Sequence, residues 1–152
     1  VQKKTLLASS GDGSLTVMDL KRGKLVAHSA SFDDEILSLA VDHDQLVLCG
    51  TGQGAVNGFA WGYWGAVQER LKPKLFARQA INAICAADGG ILLVGTEDGT
   101  LRSLAGRQTI SVLGQLPDAI EVIRVDAGRR IFVGCTGEPA IFILDLPKTD
   151  FK

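Results

Sequence analysis

Leu92-Leu93-Val94-Gly95-Thr96-Glu97-Asp98-Gly99 is an apolar run that stops in a hydroxyl residue, two acids and a glycine, and the chain repeats it with variations. The same grammar recurs in Leu6-Leu7-Ala8-Ser9-Ser10-Gly11-Asp12-Gly13, in Val47-Leu48-Cys49-Gly50-Thr51-Gly52-Gln53-Gly54 and in Phe132-Val133-Gly134-Cys135-Thr136-Gly137-Glu138-Pro139. Aligned on Gly13, Gly54, Gly99 and Pro139, the four stretches are spaced by 41, 45 and 40 residues. A small hydroxyl residue (Ser10, Thr51, Thr96 or Thr136) stands three places before each anchor. Short β-rich runs closed by tight turns at a period of ~40–45 residues indicate stacked four-stranded blades. Asp12-Gly13 and Asp98-Gly99 suit two-residue hairpins, where positive φ is needed.

Working outward from the turns, a second apolar strand follows each: Leu15 to Leu20, Val56 to Trp61, Leu101 to Leu104 and Ile141 to Leu146. A third precedes each of the last three: Ile36 to Val41, Ile81 to Ala86 and Ile120 to Val125. Weaker strands fill the remainder at Lys24 to Ala30, Lys74 to Arg78 and Thr109 to Leu113. Gln68 to Leu75 has the one mildly helical pattern, and Pro73 interrupts it. With strands lettered a to d from the axis outward, the chain reads b-c-d, a-b-c-d, a-b-c-d, a-b-c, which is fourteen strands. This is an all-β partial propeller of about three and a half four-stranded blades, in approximate units 1–34, 35–78, 79–115 and 116–150 of a single domain 1–152. Complete propellers have 4–8 blades. The chain opens on Val1-Gln2-Lys3-Lys4, not on Met, which points to a longer parent protein.

The net charge is −1, with 22% of residues charged, so no whole-chain field draws the molecule to nucleic acid or to a membrane. No apolar stretch approaches the ~18 residues a bilayer requires, and no signal peptide is visible. Cys49, Cys85 and Cys135 are far apart, each in an apolar run and without a C-x-x-C pattern. That argues against zinc and against a disulfide framework, and favours small buried apolar side chains.

Leu15-Thr16-Val17-Met18-Asp19-Leu20 and Ile141-Phe142-Ile143-Leu144-Asp145-Leu146 resemble the strand c signature of WD repeats. Met18, Phe59, Leu104 and Leu144 stand in the Trp place, and no Gly-His pair precedes a strand a. The resemblance makes the fold a WD-type β-propeller whose hydrogen-bonded tetrad is incomplete. Ser10 with Asp12, and Thr96 with Asp98, keep half of it. A narrower resemblance rests on Gly11 to Leu15 through Lys24 to Ser29, on Phe59-Ala60-Trp61-Gly62-Tyr63-Trp64-Gly65-Ala66, and on Ser111 to Gln115. These segments look like the C-terminal half of the WD repeat-containing protein 55 family, a eukaryotic family linked to nucleolar ribosomal-RNA maturation. The resemblance implies a nuclear or nucleolar scaffold for pre-ribosome assembly, with the missing half N-terminal.

No motif points to catalysis, a cofactor or a resident metal. The glycines of Gly50-Thr51-Gly52-Gln53-Gly54 lack the Lys and the helix that a phosphate loop needs. His28 and His43 match no triad, and the adjacent Asp42, His43 and Asp44 suit a solvated turn better than an ion. A protein-interaction scaffold therefore fits better than an enzyme. In a propeller the d–a and b–c loops share a rim, which places Phe32, Asp33 and Asp34 beside Asp12, Gln53, Glu97 and Glu138. This acidic arc suits a basic partner segment. Trp61, Tyr63 and Trp64 form the densest aromatic group, of the kind enriched at interface hot spots. Arg70, Lys72, Lys74 and Arg78 offer a modest basic stretch for direct RNA contact, which the net charge does not favour. Met18-Asp19-Leu20-Lys21 approximates the W-D-x-R box, making a substrate receptor of a cullin-RING ubiquitin ligase the alternative role.

An arc of blades leaves an apolar face and unpaired strand edges at each end. The chain is thus expected to self-associate through those faces or to be completed by further blades. Sedimentation of the 152-residue chain at high micromolar concentration separates the two, because a stable monomer excludes self-association.

Overall fold

The computed structural model describes residues 5–9, 11–28, 34–41, 46–61, 67–75, 79–105, 109–127 and 129–146. Among them are fourteen strands and no helix. Sheet 1 holds β1 (Thr5–Ser9), β2 (Leu15–Asp19) and β3 (Lys24–His28), and sheet 2 holds β4 (Ile36–Val41), β5 (Leu46–Thr51), β6 (Ala55–Trp61) and β7 (Val67–Leu75). Sheet 3 holds β8 (Ile81–Ala87), β9 (Ile91–Thr96), β10 (Thr100–Ala105) and β11 (Thr109–Gln115), and sheet 4 holds β12 (Ile120–Val125), β13 (Arg130–Cys135) and β14 (Ile141–Asp145). Within each sheet the strands follow one another in chain order and pair antiparallel. Sheets 1 and 4 have three strands each, because no strand a precedes β1 and no strand d follows β14 among the described residues. The architecture is the expected partial propeller.

Neighbouring sheets meet through their inner strands, β4 against β8 and β8 against β12. These strands share a pattern dictated by alternation: Ile36-Leu37-Ser38-Leu39-Ala40-Val41, Ile81-Asn82-Ala83-Ile84-Cys85-Ala86 and Ile120-Glu121-Val122-Ile123-Arg124-Val125. Each carries a bulge after its opening isoleucine, where the pairing shifts between Ile36 and Ser38, Ile81 and Ala83, or Ile120 and Val122. The opening isoleucine turns back onto the preceding sheet. Ile81 packs with Leu48 and Val56 of sheet 2, while Ile120 packs with Leu93 and Leu101 of sheet 3.

Ile81 and Ile120 each land on a glycine, while the matching place on sheet 1 is Ser9. A Cβ on Gly50 would lie 2.5 Å from Ile81 Cγ2, and one on Gly95 would overlap Ile120 Cγ2 and lie 2.8 Å from its Cβ. The glycines are thus set by close approach between sheets, since backbone without a side chain is the surface on which a β-branched residue can seat. Fully burying such a side chain stabilises by about 1.5–3 kcal/mol, so the isoleucines bear much of the contact between blades. Burial raises the pKa of Cys49, on the opposite face of sheet 2, to about 12.

Two local expectations change. The fourth turn is one residue longer than the others. Gly50 pairs with Val56 and Gly95 with Leu101, but Gly134 pairs with Ile141. Cys135, not Thr136, therefore occupies the place of Thr51 and Thr96, opposite the isoleucine of the inner strand. Segment 67–75, read in sequence as a helix-like connection leading to a strand at Lys74–Arg78, is itself β7. Its proline lies on the outermost strand of the sheet, within the irregular stretch of its pairing with β6, and edges and bulges are where sheets admit proline.

Gly95→Ala should lower stability by about 1–3 kcal/mol, the usual cost of overpacking. Gly11→Ala, where a Cβ meets nothing within 4 Å, should fall within about 0.5 kcal/mol of the parent. Urea unfolding midpoints compare them, and equal midpoints would mean that the sheets do not bear on one another through these glycines.

Candidate interaction surface

The b–c turns and d–a connections are joined at one rim by a repeated backbone bond. Gly52 N–H donates to the Glu35 carbonyl (3.2 Å), Glu97 N–H to Ala80 (2.9 Å) and Thr136 N–H to Ala119 (2.9 Å). Positive φ at Gly13, Gly54 and Gly99 (78°, 83° and 79°) lets the first three turns reverse. At Gly99 the backbone of Leu116 and Asp118 also passes too close for a Cβ.

The third turn shows how its residues are held. The Thr96 hydroxyl lies 2.6 Å from Asp98 Oδ1 and 3.0 Å from the Thr100 carbonyl, two acceptors for its one proton. Asp98 Oδ1 also accepts Thr100 N–H at 3.0 Å, and Arg102 Nη1 donates to Thr96 Oγ1 at 3.3 Å. Gln115 straps β11 to this turn, accepting from the Thr100 hydroxyl (2.9 Å) and donating to the Asp98 carbonyl (2.5 Å). In the first turn Asp12 Oδ1 accepts Ser14 N–H at 2.9 Å. The second turn has Gln53 in the aspartate's place, so Thr51 Oγ1 accepts Ala55 N–H (3.1 Å) and Asp34 reaches across to accept Gln53 N–H (2.9 Å).

The rim therefore brings together Asp12, Asp34, Gln53, Glu97 and Glu138 in these turns and connections; Phe32 and Asp33 lie outside the described residues. Glu35, the last residue of the acidic stretch Phe32-Asp33-Asp34-Glu35 read in sequence, belongs to the arc; sequence reading left out Asp98, in the third turn, and Asp118. The signal for Asp118 was an acid one or two places before the isoleucine that opens an inner strand, as in Asp34-Glu35-Ile36 and Asp118-Ala119-Ile120. Glu121, at the bulge of β12, joins them by accepting from the Thr136 hydroxyl (2.8 Å) and Asn82 Nδ2 (3.4 Å). No Lys or Arg occurs in the described residues of these turns and connections. The opposite rim is mixed, with Lys21, Arg22, Lys24, Arg129 and Arg130 beside Asp19, Asp88 and Asp126.

Trp61 closes β6, and Tyr63 and Trp64 lie outside the described residues, as do the Asp42-His43-Asp44 turn and Arg78. Arg70, Lys72 and Lys74 belong to β7, the outermost strand of sheet 2. In the WD-box-like segment, Asp19 Oδ1 accepts Lys21 N–H (2.8 Å) and Arg22 N–H (3.2 Å), so its carboxylate is engaged by its own turn. Among the described residues no group of three or more His, Cys, Asp or Glu is placed to hold a metal ion.

Four successive antiparallel sheets seated on one another, with the Thr–Asp turn at their rim, make this chain a partial WD-type β-propeller. It is WD-repeat in kind and similar to WD repeat-containing protein 55: the Arabidopsis thaliana protein is 29% identical over 116 residues, 76% of this chain and 30% of that protein. WD repeat-containing protein JIP5 of Coprinopsis cinerea is 32% identical over 155 residues, 91% of this chain and 37% of that protein. The chain thus spans about a third of the length of these relatives. No family model matches. Among solved structures, the computationally designed Ika8 protein superposes with a TM-score of 0.73, covering 96% of this chain and 44% of its own, at 18% identity; that likeness is one of fold alone.

Partial desolvation works against the charged form of Asp98. The hydrogen bonds from the Thr96 and Thr100 hydroxyls and Thr100 N–H, with the charge of Arg102, outweigh it and hold the carboxyl below its ordinary 3.8. The unfolded chain therefore takes up the proton first. The contribution of Asp98 to stability is complete above that ordinary value and is lost as the pH falls through it to the folded value. Asp98→Asn should accordingly melt lower than the parent at pH 7, with the gap narrowing toward pH 3. A gap constant across thermal melts from pH 7 to 3 would show that this carboxylate does not stabilise the turn.

Proposed function

We propose that this chain is part of a protein-interaction scaffold in nucleolar pre-ribosome and ribosomal-RNA maturation, and that its b–c/d–a rim holds a basic segment of a partner protein. The observation that carries the reading is the charge segregation between the rims. Carboxylates from three turns and two connections line one, whose described loop residues include no Lys or Arg, although Arg102 of β10 reaches into the third turn to donate to Thr96 Oγ1. Like-signed groups on one surface steer an oppositely charged segment and suppress wrong partners more than they add raw affinity. The similarity to WD repeat-containing protein 55 supports the nucleolar setting. No observation favours a ubiquitin-ligase receptor, since the one aspartate that such a box would present is engaged by its own turn.

Among the described residues no hydrogen bond engages the side chain of Glu97 or Glu138, so both can be reversed without dismantling a turn. A tagged Glu97→Lys/Glu138→Lys chain should lose the pre-ribosomal factors that the parent chain captures from nuclear extract. The parent's capture should weaken roughly tenfold or more between 50 and 500 mM salt, as rim charges are screened. Capture that ignores both the reversal and the salt, or that recovers the cullin adaptor instead, would sink the reading.

A further inference from the structure

The face of sheet 4 turned away from sheet 3 repeats, in register, the faces that are covered inside the molecule. On sheet 2 the row Ser38–Gly50–Val56 receives Ile81, and on sheet 3 the row Ala83–Gly95–Leu101 receives Ile120. The matching row on sheet 4 is Val122–Gly134–Ile141. A Cβ on Gly134 would meet only Val122 Cγ1 of its own sheet. Its apolar neighbours are open: Ile141 is 68% exposed and Ile143 60%, where Leu101 is 0%. The glycine is in place, and no isoleucine among the described residues fills it.

The next row differs in kind. Ala40–Leu48–Gly58 and Cys85–Leu93–Ser103 carry no charge, but sheet 4 carries Arg124–Phe132–Ile143. Inside the molecule, Val125 of the incoming strand covers Cys85, whose thiol meets the Val125 backbone. An aliphatic residue in that place on sheet 4 would bury Arg124 without a counter-charge, and the desolvation of the guanidinium would go uncompensated. Arg130, on the same face, already pairs with Asp126 at 2.6 Å and stacks over Phe132 at 5.7 Å. Arg124 donates to the carbonyl of Ile123 (2.8 Å) and has no carboxylate within ion-pair distance among the described residues.

The repeated register means that a further blade of the stack seats on this face. We propose that the inner strand of this blade enters with an isoleucine over Gly134 and carries an aspartate or glutamate five places later, against Arg124. The three inner strands here read Ile-x-x-(Ile/Leu)-x-(Val/Ala); the occupant reads Ile-x-x-(Ile/Leu)-x-(Asp/Glu). A second copy of the chain is a poorer fit, because its sheet 1 has no inner strand among the described residues to supply the isoleucine. The relatives have the length for such a blade, since the matched region takes 30% and 37% of them. The inference rests on the contacts between sheets and is independent of the rim.

The test extends the 152-residue chain by repeating residues 106–146 after Leu146, which supplies an outer strand to sheet 4 and one more sheet. The appended copy carries Val125→Asp or, for comparison, Val125→Lys. Gly134→Ala, in the original sheet 4, is then made in both the extended and the unextended chain. In the unextended chain it should change the melting temperature by no more than about 2 °C, because the one group in the way is a γ-methyl of Val122, 2.8 Å off, on a side chain that is 41% exposed and free to turn aside. In the extended Val125→Asp chain it should lower the melting temperature by about 4 °C or more. That chain should also melt above both the unextended chain and its Val125→Lys counterpart, with the Asp–Lys gap shrinking in 1 M salt. Three results overturn the proposal: the same Gly134→Ala effect in both backgrounds; extended chains, with one repeat or two, that melt no higher than the unextended one; or an unextended chain that dimerises through this face, with Gly134→Ala dissolving the dimer.

Discussion

The seating of an isoleucine on a glycine of the neighbouring sheet is the contact on which the rest depends. Two sheets approach most closely where one offers bare backbone and the other a stiff, β-branched side chain. Gly50 under Ile81 and Gly95 under Ile120 are that meeting, made twice in equivalent places. Alternation then fixes the next position, because the residue after the glycine points to the opposite face. In Gly50-Thr51 and Gly95-Thr96 this is a buried threonine whose hydroxyl bonds within the b–c turn. One dipeptide thus sets both the packing between blades and the shape of the rim.

That coupling explains why so much was legible in the sequence. The period, the hydroxyl residue and the turn glycine are all projections of the same contact, and they gave the sheet order and nearly all strand positions. It also explains the error at the fourth unit. Gly134-Cys135 lacks the hydroxyl, and Thr136 stands one place later in a turn longer by one residue, so an alignment anchored on Pro139 slid by one residue while Gly134 kept its register in the sheet. The misplacement of β7 has a different cause. An outermost strand needs ladder bonds on one side only and tolerates a proline, so it carries neither strong alternation nor a β-rich composition. The aromatic cluster and the Phe32-Asp33 segment were equally plain in sequence, but sequence could not say what they face.

The rim was legible as charge and illegible as structure. Asp12, Asp34 and Asp98 all bond backbone N–H groups of the turns, so their negative charge belongs first to the local fold. Aspartate suits this place because its short side chain reaches the N–H two residues on. Glutamate does not suit it in the same way, and Glu97 and Glu138 carry no such bond among the described residues. The arc therefore has two layers, an inner set of carboxylates that shape the turns and an outer set that a partner can meet. On the proposed reading a segment drawn to this rim would feel the field of both and would be positioned by the outer glutamates, which no turn hydrogen bond among the described residues engages. Two chains of this architecture can accordingly share the inner aspartates and still differ in partner, which is how a repeated fold carries a particular specificity.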